Sequence, residues 1–121
     1  MNIKESVHGD VIAITPKGSL LGDEETASLR ERIHSAVNEG YLKVVLDVGN
    51  ITWINSSGLG TLISALGTLN RAGGDLRIAN VTDKIQSLFL ITQLFKVFKT
   101  YETTERAVGS FVTDPISGKT E

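Results

Sequence analysis

Between Asp47 and Arg71 the chain carries no ionisable side chain of either sign, and inside that stretch a polar cluster, Asn55, Ser56 and Ser57, stands directly before a helical apolar pattern. Such a cluster is what a helix N-terminus needs, because side-chain oxygens there accept from backbone N–H groups that have no intrahelical partner. The residues that follow keep the 3.6-residue period through Leu59, Leu62, Ile63, Leu66 and Leu69, so the spacing predicts a helix with one apolar stripe for a core. Its remaining face, Gly60, Thr61, Ser64, Ala65, Gly67 and Thr68, is small and uncharged where a solvated helix would carry Lys and Glu. Gly58 and Gly60 each cost roughly 1 kcal/mol relative to Ala inside a helix, so their presence in the first turn needs another justification, of which close approach by another backbone is one. Either a neighbouring element of the same domain covers this face or a second protein does. Trp53, just ahead of the cluster, reads as a packing residue, since large aromatics bury most of their area.

The rest of the chain alternates strand and helix. Residues 3–7 and 11–15 read as strands joined through His8, Gly9 and Asp10 as a hairpin, with Pro16 ending the second strand or placing it at an edge. Residues 18–22 then form a loop. Asp23 caps a first helix whose opening turn holds Glu24 and Glu25, whose stripe is Ala27, Leu29, Ile33, Ala36 and Val37, and which stops at Gly40. Val44, Val45 and Leu46 in succession mark a strand buried on both faces, as in a parallel sheet covered by helices. Beyond Gly73 and Gly74 come a strand over residues 76–79 and a third helix capped by Thr82 or Asp83 with Ile85, Leu88 and Phe89 inward. A turn over residues 92–98, a short strand near residues 98–101 and a last helix capped by Thr103 or Thr104, with Ala107, Val108 and Phe111 inward, complete the pattern. The expected fold is α/β: one domain over residues 1–112, a mixed sheet of about four or five strands with about four helices, and a flexible C-terminal tail over residues 113–121.

Composition narrows the class of function. A chain of 121 residues fits one domain with one core. A net charge of −2 offers no basic footprint for nucleic acid or an anionic membrane. Without cysteine there is neither a disulfide framework nor a thiolate metal site, which suits a reducing cytoplasm. The opening residues lack the apolar core of a signal segment and no apolar run reaches membrane-span length, so a soluble, cytoplasmic protein is expected. The P-loop pattern is missing, Gly58, Leu59 and Gly60 lack the third glycine of a dinucleotide fingerprint, and neither Ser56 nor Ser57 has the glycine that a nucleophile elbow places two residues earlier. His8 and His34 have no partner evident in sequence, and a helix start explains Asp23, Glu24 and Glu25. The residues thus point to a binding protein rather than an enzyme, with no catalytic residue, metal ligand or cofactor.

The run Asn55, Ser56, Ser57, Gly58, Leu59, Gly60, preceded by Val44, Val45, Leu46, Asp47 and followed by Gly73, Gly74, Asp75, Leu76, resembles the STAS domain of bacterial anti-sigma factor antagonists. The resemblance spans residues 3–111. In that family the motif reads Asp, Ser, Ser or Thr, Gly, Leu or Ile, Gly, and its first Ser is phosphorylated by a partner kinase that doubles as the anti-sigma factor. The resemblance therefore implies a phosphoacceptor at Ser56, with Asn55, Ser57, Gly58, Leu59, Gly60, Thr61, Ser64 and Ala65 binding the partner. It also implies a partner switch. The unphosphorylated protein binds an anti-sigma factor with serine kinase activity and frees a sigma factor, and a metal-dependent serine phosphatase restores that form. ATP belongs to the kinase, so the domain needs no cofactor, contacts neither nucleic acid nor membrane, and is expected as a monomer or weak homodimer. Two features depart from the family pattern: Asn55 stands where Asp is usual, and residues 18–23 do not keep the short Gly, x, Leu, Asp form. The alternative is a STAS accessory or scaffolding subunit of another assembly, such as a transporter complex, without a phospho-switch.

Overall fold

The computed structural model describes residues 1–116. Strands β1 (Asn2–His8) and β2 (Val11–Leu20) form the expected hairpin, in register from His8 opposite Val11 to Asn2 opposite Lys17. Gly9 makes the turn at a φ of +65°, in the left-handed region that a side chain disfavours. β2 is longer than its sequence suggests and runs on through Pro16, so the residues expected as a loop from 18 are strand as far as Leu20. Its parallel partner changes along the way. Residues 11–14 pair with β3 (Lys43–Asp47), while Gly18, Ser19 and Leu20 pair with β4 (Ile51–Ile54). Gly18 N–H donates to the Asn50 carbonyl at 3.2 Å, and the strand's period of two puts the ring nitrogen of Pro16 on that same side, between the two paired stretches.

β5 (Asp75–Ala79) lies parallel to β3, and β6 (Thr100–Tyr101) parallel to β5, giving the order β1-β2-β3-β5-β6 with β4 added against β2. Among the described residues the mixed sheet thus has a path of five strands, as expected, and a sixth, β4, off that path. β4 escapes sequence reading because its buried residues, Ile51 and Ile54, flank two exposed ones, Thr52 and Trp53, which breaks the alternation that marks a half-buried strand.

Elsewhere the period of two sorts the sheet into two cores. Ile12, Ile14, Val44, Leu46, Leu76 and Ile78 face one side, where α1 (Glu24–Asn38), α2 (Ser56–Arg71) and α3 (Asp83–Thr92) add Leu29, Ile33, Leu62, Leu66, Ile85 and Phe89. Val11, Ala13, Val45 and Ala79 face the other, against Ala107 and Phe111 of α4 (Thr104–Thr113). The caps fall where the sequence puts them. Asp23 accepts from Glu25 N–H and Thr26 N–H, Thr82 from Ile85 N–H and Thr103 from Arg106 N–H. β1 is tied to α1 by the Glu5–Arg32 ion pair, and the guanidinium holds the Glu5 carboxyl below the usual carboxylate range.

Arg77 sits on the α4 side of β5 and is fully buried. Nε donates to Asp75 Oδ2 at 2.9 Å, Nη1 to Ser110 Oγ at 2.8 Å and Nη2 to the Asp114 carbonyl at 2.7 Å, while Cζ lies 4.1 Å from the centroid of the Phe111 ring. Every side of the guanidinium is matched, which is the condition for keeping a charge out of water. Of the tail expected over residues 113–121, Thr113 closes α4, Asp114 pairs with Lys99 at 2.9 Å, and Ile116 packs on the smaller core; residues 117–121 lie outside the described residues. No described helix is long and apolar enough to cross a membrane.

Candidate functional site

The loop from β3 leads through Asp47 into β4 and on to the polar cluster. Asp47 is bonded on both oxygens: Oδ1 accepts from Gly49 N–H at 2.9 Å, and Oδ2 accepts from Asn80 Nδ2 and from Thr104 Oγ1, each at 3.0 Å. One carboxylate thereby fixes the turn feeding β4, the end of β5 and the start of α4. β4 then delivers Asn55 to the end of β2, where Asn55 N–H donates to the Leu20 carbonyl at 3.1 Å.

Asn55, with extended backbone, is the N-cap of α2, and its Oδ1 accepts from Gly58 N–H at 2.9 Å. Ser56 is therefore the first helical residue rather than the cap. It is exposed, and among the described residues its hydroxyl makes no hydrogen bond. Ser57 is exposed beside it and lies against Gly22, where a Cβ would stand 2.7 Å from Ser57 Cβ. Gly22 has a φ of +84°, so both its conformation and the space around it exclude a side chain. The start of α1, with Asp23, Glu24 and Glu25, is thus set beside the start of α2.

The two glycines in the first turn of α2 stand in different surroundings. A Cβ on Gly58 would lie 2.3 Å from the Leu20 carbonyl oxygen and 2.8 Å from both Ile54 Cγ1 and Leu20 Cβ, which is the close approach that justifies a glycine there. Nothing lies within 4 Å of a Cβ on Gly60, which is open to solvent.

The uncharged helix face is divided. Gly60 and Ser64 are exposed as expected, and Gly67 and Thr68 are half-buried. Thr61 and Ala65, expected on the partner-binding face, are instead 9% and 3% exposed; Thr61 Oγ1 donates to the Ser57 carbonyl at 3.2 Å, and Ala65 joins the core that α1 shares. Gly58 and Leu59 are likewise inside. Ile63, counted in the core stripe, is 44% exposed. The buried arc is rotated toward α1, because that is where the neighbouring helix lies. Trp53 is also a correction: it is 51% exposed, with Lys84 Nζ 5.6 Å from its ring centroid, because β4 is covered at Ile51 and Ile54 only.

What remains is a surface of Ser56, Ser57, Gly60, Ile63 and Ser64, with Trp53 just ahead in the chain and the 42% exposed Leu21 joined to Asn55 through its carbonyl. It has no charge of its own. Apolar and small residues around free hydroxyls suit contact with another protein, since burying such a surface desolvates no ion. Sequence reasoning missed Leu21 and Gly22; the signal was a glycine one residue before an N-cap aspartate, which required a tight entry to α1. Ser64→Lys should change stability by no more than about 0.5 kcal/mol, as exposed substitutions do, and thermal unfolding checks it. A large drop in melting temperature would show that this side of α2 packs internally.

Known proteins share this fold. A family model described as the STAS domain matches residues 2–107. The anti-sigma-B factor antagonist of Staphylococcus epidermidis is 31% identical over 106 residues, covering 87% of this chain and 96% of that protein. Among solved structures, a Thermotoga maritima crystal structure superposes with a TM-score of 0.81 at 22% identity, covering 89% of this chain and 92% of that one. The anti-sigma factor antagonist SpoIIAA in its unphosphorylated form gives 0.71 at 17% identity, covering 93% and 99%. The Bacillus SpoIIAA in its phosphorylated form gives 0.68 at 18%, covering 88% and 96%.

Proposed function

The chain belongs to the STAS domain family, and from that premise we propose that it is an anti-sigma factor antagonist, a protein-binding module whose grip on an anti-sigma serine kinase is controlled by phosphorylation of Ser56. The observation that carries this reading is the exposed Ser56 at the head of α2, relieved of the capping role by Asn55 and set on an uncharged surface. An acceptor hydroxyl has to enter a kinase cleft, so it must be exposed and free of internal bonds. A phosphate placed there meets the positive end of a helix, which tolerates an anion well. In the unphosphorylated form the surface of Ser56, Ser57, Gly60 and Ser64 docks on the kinase, and a metal-dependent serine phosphatase regenerates that form. The protein works in the cytoplasm as a monomer or weak homodimer.

The test is incubation with an extract of the source bacterium and ATP, followed by intact mass. Wild type and Ser57→Ala should each gain one phosphate, and Ser56→Ala none. Labelling that survives Ser56→Ala, or that Ser57→Ala removes, would refute Ser56 as the acceptor. Stable partner binding that ignores phosphorylation would favour a scaffolding subunit instead.

A further inference from the structure

A single carboxamide joins two elements beside the acceptor. Asn55 Oδ1 accepts from Gly58 N–H at 2.9 Å while its Nδ2 donates to the Leu21 carbonyl at 3.1 Å. The orientation is fixed by chemistry: turning the amide over would set NH2 against N–H and oxygen against carbonyl oxygen. Aspartate could supply the first bond but not the second, since its second oxygen would face a carbonyl oxygen. Serine could cap the helix but is too short to serve both ends at once. Among the described residues the Asn55–Leu21 bond is the one hydrogen bond from residues 21–23 to the head of α2, although Gly22 also packs against Ser57 and Asp23 caps α1. Gly22 N–H donates to Thr26 Oγ1 at 2.8 Å, within the same segment, and Leu21 is 42% exposed.

We propose that Asn55 is a positioning residue that clamps residues 21–23 onto the N-terminus of α2, so that Leu21 and Ser56 are presented to the partner as one rigid surface. The partner it fits is a protein kinase that packs an apolar group on Leu21 beside the acceptor serine. The partner half of this inference rests on the function proposed above; the clamp itself does not.

Asn55→Asp and Asn55→Ser both keep a helix cap and both remove the bond to Leu21. Amide hydrogen exchange needs no partner, and in both variants the Gly22 amide, whose N–H is held by Thr26 Oγ1, should exchange about tenfold faster, with protection in the sheet unchanged. With the kinase, both should show a several-fold higher KM for phosphorylation of Ser56 at unchanged kcat, since a loosened docking surface weakens binding without altering the hydroxyl. Unchanged exchange in both variants overturns the clamp. Effects confined to Asn55→Asp overturn it too, because charge rather than the lost bond would then be responsible. Faster exchange with unaltered KM would show that the loop is not part of the kinase's target, whereas absence of any phosphorylation in wild type would refute the function and leave the exchange result standing.

Discussion

Phosphorylated at Ser56, the protein should lose its anti-sigma partner by roughly a hundredfold or more, about 2.7 kcal/mol, while melting no earlier than the unmodified form. The added group carries about −1.5 to −2 charges at neutral pH. In the free domain this charge stays in water at the head of α2, where the unpaired N–H groups and the helix dipole favour it. In the complex the same dianion must be desolvated, at a cost of several kcal/mol unless new cations meet it. The proposed switch should therefore act in the interface and not by unfolding. Ser56→Asp should imitate it only in part, having one charge and less bulk, and Ser56→Ala should bind as tightly as wild type yet escape control. Titration calorimetry with circular dichroism on the four forms decides the matter: equal affinities would sink the switch, and loss of helical signal on phosphorylation would sink its mechanism.

Gly58→Ala should destabilise the domain by about 3 kcal/mol, whereas Gly60→Ala, two residues on, should stabilise it by up to about 1 kcal/mol. The new methyl at position 58 would stand 2.3 Å from the Leu20 carbonyl oxygen. That neighbour is backbone, held in the β2–β4 pairing, so no side-chain rotation relieves the clash and α2 must move off the end of β2. Ala at position 60 points into open space and gains only the helical preference of alanine over glycine. Urea unfolding of the two variants measures the difference. A neutral Gly58→Ala would mean that the head of α2 does not sit as close to β2 as the structure has it.

These two glycines show where sequence stops being enough. Both signal an unusual environment by their presence in a first turn, but the backbone that crowds Gly58 belongs to a strand 38 positions earlier by number (58 − 20), and nothing local says so. Elements set by local chemistry were legible: the Gly9 turn, the caps at Asp23, Thr82 and Thr103, and the doubly buried β3 all depend on neighbours a few residues away. The motif around Ser56 was legible for the same reason, as a capping cluster before an apolar period. The phase of α2 was not. Its apolar arc has Thr61 and Ala65 on one flank and Ile63 on the other, and periodicity cannot choose between flanks; the position of α1 does. Likewise β4 and the run of β2 past Pro16 exist only because each supplies the other's backbone bonds. The carboxylate of Asp47 bonding Thr104, and the amide of Asn55 bonding Leu21, are contacts of the same long-range kind.

Arg77 constrains how this protein can change over time. A descendant that lost Asp75 or Ser110 alone would be left with a buried guanidinium lacking part of its hydrogen-bonding shell. A descendant that lost Arg77 alone would leave Asp75 and the buried Ser110 without their guanidinium partner and open space beside Phe111, although Ser110 would keep its bond to the Ala107 carbonyl. No single step out of the arrangement is cheap, though a joint replacement by apolar residues of similar volume would be tolerated. Positions 75, 77 and 110 should thus pass between lineages as a block, kept whole or discarded whole, while the sheet's opposite face, which carries Ser56, drifts under separate selection.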